Sequence, residues 1–183
     1  MSISARDLAI DTFVPMLRSL SKVLDEGAKH ATTKSFDVAV LVNARLAPDM
    51  FTLKQQVQLA CHFARDGVAR LVGQDAGMPD FVDETLDDLK ARIQTTIEAL
   101  EGTGATVLEG AAERDIEMAM PGGRVFEMKG YQLLRDWSLP HFYFHVVTTY
   151  DILRHNGVTI GKRDYMGNVA RYLRQPAPAP ARG

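Results

Sequence analysis

The sequence contains a single cysteine, Cys61, and this scarcity excludes two kinds of structure. One cysteine cannot form an intramolecular disulfide, which fits a reducing compartment. It also cannot build a zinc site made mainly of thiolates. Cys61 lies in the middle of a predicted helix, away from any helix N-terminus that would lower the thiol pKa. We therefore interpret it as a small buried apolar residue rather than a nucleophile.

The sequence also lacks long apolar runs and an excess of either charge. No run approaches the ~20 residues of a transmembrane helix. Asp7 and Asp11 interrupt the N-terminal segment where a signal peptide needs a continuous apolar stretch. The net charge is −2, which gives no electrostatic reason to bind nucleic acid or an anionic membrane. We expect a cytoplasmic protein with neither partner. Phosphate loops, GxSxG elbows and Rossmann fingerprints are also absent.

The overall composition of the chain is that of a globular domain. The chain has 183 residues, 46% of them apolar and 24% charged, which suits one domain with a sizeable core. Its final segment, "RQPAPAPARG", alternates proline and alanine and cannot pack as a helix. We predict one domain over residues 1–173 and an extended or disordered tail over residues 174–183.

Four segments carry the three-and-four spacing of amphipathic helices. They cover about residues 4–27, 50–72, 85–102 and 131–155. Gly27 is predicted to end the first helix, and Asp49 to cap the second. Pro15 and Pro140 are predicted to kink the first and fourth helices, because proline lacks a backbone donor.

Shorter elements are predicted between and after these helices. Residues 29–48 read as a connection with one short helix, and residues 163–173 as a short final helix. In 114–128, alternating apolar positions flank Pro121-Gly122-Gly123, which predicts a β-hairpin. The predicted fold is mainly α: a four-helix bundle with a small hairpin inserted before the fourth long helix.

Histidine spacing provides the strongest indication of chemistry. His141 and His145 are four residues apart, so on a helix their Cβ atoms lie ~5–6 Å apart on one face. Two such imidazoles can share a divalent metal ion, and His62 on the second helix is the natural third ligand. His155 lies ~21 Å along the helix from His141 and is a poor alternative. The competing interpretation is a pair of core histidines satisfied by hydrogen bonds.

Longer motifs resemble a known family. "NARLAPDMFTLKQQVQLA", "LPHFYFHVVTTYDILRHNGV" and "IGKRDYMG" are similar to the DUF1993 family, within the DinB/YfiT-like superfamily of metal-dependent enzymes. The resemblance implies a DinB-like bundle and a homodimer, and it places the superfamily metal triad on His62, His141 and His145. In DUF1993 itself, the position of His145 is typically histidine, whereas those of His141 and His62 commonly are not.

Three hypotheses follow. The first is a metal-dependent enzyme, transferase-like or hydrolase-like, in which one divalent ion of the Zn or Ni class is held by the triad and activates water or a thiol. The second is a non-catalytic homodimer that binds a small ligand or a protein near Trp137 and Tyr143. The third is a metal binder without chemistry. Asp49 and Asp151 are general-base candidates only if folding brings them to the histidines.

Overall fold

The protein is mainly α-helical, and a computed structural model describes its residues 4–174. Most of the predicted tail therefore lies outside the described residues. The main helices are α1 (Ala5–Thr33), the short α2 (Ala39–Val42), α3 (Leu53–Leu71) and α4 (Leu86–Glu101). Within residues 4–174, no helix is long and apolar enough to cross a membrane. α3 packs against α4 and against the last long helix, Leu139–His155, and α1 packs against α4.

The first helix is longer than predicted, because Gly27 does not end it. α1 continues to Thr33 and passes through Pro15. A Cβ atom at Gly27 would lie 3.1 Å from Cδ2 of Leu153. Gly27 is therefore a point of close helix packing rather than a stop signal.

The cap predicted for the second long helix is also wrong. Thr52, not Asp49, precedes the first residue of α3. The side chain of Gln55 accepts a hydrogen bond from the backbone N–H of Thr52 at 3.0 Å, which satisfies a donor at the helix start. Asp49 lies in an exposed turn.

The predicted hairpin is present. Strands β1 (Asp115–Met120) and β2 (Arg124–Lys129) pair in antiparallel register, with Met120 opposite Arg124 across the turn. Ile116 and Met118 point into the protein, whereas most of β2 is exposed. The hairpin thus packs on the bundle mainly through one face of β1.

The fourth long helix ends at residue 155, as predicted, and its main irregularity is a π-helical turn that precedes Pro140. A short α5 (Gly130–Gln132) runs into a π-helical turn (Leu133–Ser138) and then into α6 (Leu139–His155). Proline in a regular helix clashes with the carbonyl four residues earlier, which for Pro140 belongs to Asp136. Asp136 lies inside the wider π turn, and we infer that this turn accommodates the proline.

After α6, the predicted final helix is replaced by two shorter pieces. These are α7 (Lys162–Tyr165) and a 3₁₀ segment (Gly167–Tyr172), both along α1. The core between the long helices contains Phe13 and Phe142, whose rings meet edge to face with centroids 4.9 Å apart. Thus α1 and α6, which carry these two aromatic residues, meet in the same core.

Candidate functional site

The candidate site lies where α3 runs along α6. Gln56 of α3 bonds to His145, and a Cβ atom at Gly67 would lie 2.7 Å from Oγ of Ser138. As the residue numbers increase along α3, the numbers of the residues they contact decrease, so the two segments are antiparallel. This arrangement puts His62 of α3 near the two histidines of α6.

His145 is held rigidly in this contact. It is only 6% exposed, and its Nδ1 lies 2.7 Å from Oε1 of Gln56. The amide nitrogen of Gln56 donates to the carbonyl oxygen of Phe51, which leaves its oxygen facing the imidazole. Because that oxygen only accepts, Nδ1 of His145 carries the hydrogen, and the lone pair of a neutral ring lies on Nε2.

His141 has the same tautomer for a similar reason. Its Nδ1 lies 2.8 Å from the carbonyl oxygen of Trp137, one turn earlier. The Trp137 ring packs on the imidazole, with centroids 4.4 Å apart. A carbonyl only accepts, so neutral His141 also has its lone pair on Nε2. Metal-binding histidines commonly have this pattern, with one ring nitrogen oriented by an oxygen and the other free.

Phe63 connects the three predicted ligands. Its ring stacks on His141 at 4.3 Å and on His145 at 5.4 Å between centroids, and it meets the ring of neighbouring His62 edge-on at 5.3 Å. All three histidines therefore pack around one phenyl ring. The structure brings them together, but through aromatic contacts.

Burial favours the neutral form of two of these imidazoles. Burial, together with the nearby His141 and His62 in their charged forms, lowers the pKa of His145 to about 4. Burial also lowers the pKa of His62, while the carboxylate of Asp66 opposes that shift. A neutral imidazole is the form that binds metals, so the protonation state suits ligation.

The positions of the rings are less suitable for a metal. Within residues 4–174, no group of three or more His, Cys, Asp or Glu side chains is arranged to hold a metal ion. The donor chemistry of the three histidines fits a Zn-class or Ni-class ion, but their present packing around Phe63 does not converge on one point.

His62 has the most open surroundings of the three. It lines a cavity of about 170 Å³ together with Gln58, Arg65 and Arg92 and the loop at residues 76–80. This volume is roughly that of five or six liquid waters at about 30 Å³ each. A small molecule in this cavity would reach the imidazole of His62.

The general-base candidates lie elsewhere. Asp49 and Asp151 are exposed, and in the described part of the chain neither bonds to a predicted ligand. His155 is exposed at the end of α6, and His30 packs on Phe36 near the end of α1. Neither of the two predicted general bases therefore lies at the histidines.

Sequence reasoning missed Gln56 and Phe63. Gln56 is 1% exposed and lies three residues after Leu53 on the buried stripe of α3. A polar residue at a core position usually has a buried partner, so its location was an available signal. Phe63 had no comparable signal, because an aromatic residue beside a histidine is ordinary in a packed helix.

The comparisons with known proteins agree with this architecture. The sequence model of a family described as "Domain of unknown function (DUF1993)" matches residues 6–166. Among solved structures, the chain resembles the crystal structure of a DinB family member protein from Shewanella denitrificans. The identity is 39% and the TM-score 0.81, over 96% of this chain and 95% of that chain. No curated protein matches. The chain therefore belongs to the DUF1993 family and has a DinB-like fold.

Proposed function

We propose that this protein is a metal-dependent enzyme, transferase-like or hydrolase-like, in which His62, His141 and His145 bind one divalent ion of the Zn or Ni class. One observation carries the proposal: the Nδ1 atoms of His141 and His145 both donate to oxygens, which leaves both Nε2 lone pairs for a metal. The lowered pKa of His145 supports it, because the imidazole stays unprotonated at neutral pH.

Binding would require the rings to leave their present packing on Phe63. Gln56 and the carbonyl of Trp137 would keep the hydrogens of His145 and His141 on Nδ1. A bound ion of this class supplies Lewis-acid chemistry. The cavity beside His62 would receive the small substrate, and Arg65 would orient its polar groups. Arg92 also lines the cavity but already pairs with Asp80 and Asp83.

Metal content tests this proposal. After incubation with zinc or nickel and desalting, we expect about one ion per chain, measured by elemental analysis. His145→Ala and His141→Ala should each lower the affinity for the ion by more than tenfold, because each removes a ligand. Gln56→Leu keeps all three ligands but frees the imidazole of His145, and we expect about a 10–100-fold loss of affinity.

His155→Ala is the matched control, because it removes an exposed histidine from the same helix. It should load as the unmodified protein does. Circular dichroism confirms that each variant is folded, and His141→Ala, at a half-buried position, keeps the test valid if His145→Ala unfolds. Equal loading of all variants, or no loading of the unmodified protein, would contradict the proposed triad.

A second candidate function, a non-catalytic homodimer that binds a small ligand or protein without metal, is favoured by an exposed aromatic surface. Phe144 is 57% exposed, and its ring meets that of His145 edge-on at 5.3 Å. Gln56 links His145 to Phe51, which is itself 48% exposed and packs on the exposed Phe81. These contacts connect Phe144, Phe51 and Phe81 at one end of the α3–α6 pair, a surface we propose is covered by a second copy.

Light scattering after size-exclusion chromatography tests the dimer. We expect the unmodified protein to be dimeric at micromolar concentration. Phe144→Glu should raise the dimer Kd at least tenfold, because a buried carboxylate without a partner is costly. Val125→Glu, which changes an exposed apolar residue on β2, should leave the dimer intact. A monomeric unmodified protein, or equal disruption by both substitutions, would exclude this surface as the interface.

A further inference from the structure

A cleft that shares no lining residue with the histidine contact has the features of an anion site. It lies between α1 and the 3₁₀ segment that follows α7, and its volume is about 450 Å³. This is within the ~300–1,000 Å³ range of small-molecule sites. Four cationic side chains line the cleft, against two carboxylates: Arg6, Arg18, Lys22 and Arg171 against Asp11 and Glu101. The cleft therefore carries an excess of positive charge.

Three of the cations and one amide line the cleft from two elements of the fold. Arg18 and Lys22 are four residues apart on α1 and so lie on one face. Arg171 approaches from the 3₁₀ segment, in which side chains three residues apart eclipse one another. Asn168 lies three residues before Arg171 and also lines the cleft. The positive charge is therefore contributed by both walls of the cleft.

The existing ion pairs do not neutralise these three cations. Within residues 4–174, Lys22 and Arg171 form no ion pair with a carboxylate. Arg18 binds Glu101 at 2.8 Å, but both side chains are about half exposed. Exposed pairs contribute little to stability, so a ligand can draw Arg18 away from Glu101 at little cost.

Unused polar groups lie beside these cations. The amide oxygen of Asn168 is buried and has no hydrogen-bond partner in the described structure. A buried acceptor without a partner is uncommon and indicates that a donor is missing from its surroundings. Ser19, which is almost fully buried, also lines the cleft, and a Cβ atom at Gly167 would lie only 3.5 Å from its hydroxyl oxygen.

We propose that this cleft binds the phosphate group of a small phosphorylated molecule. Arg18, Lys22 and Arg171 line the cleft and would neutralise the phosphate charge, and the hydroxyl of Ser19 would donate to a phosphate oxygen. A hydroxyl group of the ligand would donate to the amide oxygen of Asn168. The remainder of the cleft, which includes Ile10, Val14 and Pro15, would receive the uncharged part of the ligand. This site is independent of the histidines and of any metal.

Binding of inorganic phosphate and of glycerol 3-phosphate to the chelator-treated protein tests the proposal. We expect saturable shifts of the backbone amide resonances around Ser19 and Asn168 in a nitrogen–proton correlation spectrum. The double variant Lys22→Ala/Arg171→Ala should weaken both probes at least tenfold. Added sodium chloride should weaken them as well, because the lost contacts are screened charges. Tighter binding of glycerol 3-phosphate than of phosphate would indicate that the apolar part of the cleft takes part.

Lys34→Ala/Arg163→Ala is the matched control, because it removes the same number of exposed positive charges outside the cleft. It should bind both probes as the unmodified protein does. The proposal is overturned if neither probe gives saturable shifts at millimolar concentration, or if both double variants weaken binding equally. The second result would show that only the net charge attracts the anion.

Discussion

Replacing Gly130 by alanine should destabilise the protein by about 3 kcal/mol or more, the largest effect we expect from a single methyl group. A Cβ atom at this position would lie 2.0 Å from the backbone oxygen of Ala111 and 2.8 Å from Cδ2 of Leu71. The first contact is with backbone, so no rotamer change relieves it. In thermal unfolding, the midpoint should fall by roughly 6–12 °C.

Gly110→Ala is the control for this prediction, because Gly110 starts the same short turn that Gly130 contacts. Gly110 has φ +68°, a region that alanine enters at a cost, but a Cβ atom there would meet nothing within 4 Å. We expect a loss of only about 1 kcal/mol. If Gly130→Ala costs no more than Gly110→Ala, then α5 does not approach residues 110–113 as closely as the structure has it.

The free energy of unfolding of the metal-free protein should fall by about 2 kcal/mol between pH 7 and pH 5 because of His145. Its pKa is about 4 in the folded protein, against an ordinary value of 6.5. The unfolded chain therefore binds the proton more readily, and stability decreases as the pH falls from 6.5 to 4. Above 6.5 the contribution is complete. His62, whose pKa is also lowered, acts in the same direction.

Guanidinium unfolding at the two pH values measures this effect. His145→Gln removes the titrating group and should reduce the loss between pH 7 and pH 5 by most of that amount. His155→Gln, on the exposed end of the same helix, should leave it unchanged. An identical pH dependence in all three proteins would mean that His145 is not shielded from solvent by its packing on Gln56 and Phe63.

The long helices and the hairpin could be predicted because burial imposes a period on the sequence. Leu86, Leu89, Ile93, Ile97 and Leu100 repeat at helical spacing, and all are buried in α4. Helix ends were harder to predict, because they depend on contacts with residues that are distant in the sequence. Gly27 is an example: the position of Leu153 shows that this glycine allows close packing rather than ending the helix. Thr52, rather than Asp49, precedes α3, because the side chain of Gln55 accepts a hydrogen bond from the backbone N–H of Thr52.

The candidate site could be predicted only as a set of residues. Helical spacing placed His141 and His145 on one helix, and the bundle brought His62 close to them, as their shared contact with Phe63 shows. Sequence spacing does not specify where the nitrogens point. That direction depends on Gln56 and on the carbonyl of Trp137, partners that lie on another helix or belong to the backbone. Whether the three nitrogens meet at a metal stays a prediction.

The π-helical turn at Leu133–Ser138 makes chain length a constrained property of this segment, in addition to the identity of its buried residues Leu133, Leu134 and Ser138. Arg135 and Asp136 are exposed and face solvent, so many side chains would be tolerated there. Deleting one residue would tighten the turn into regular α-helix, in which each residue advances the chain by about 100°. The hairpin and Gly130 would then rotate about the axis of α6 and lose their contacts with the bundle, whereas His141 and His145 would stay in place.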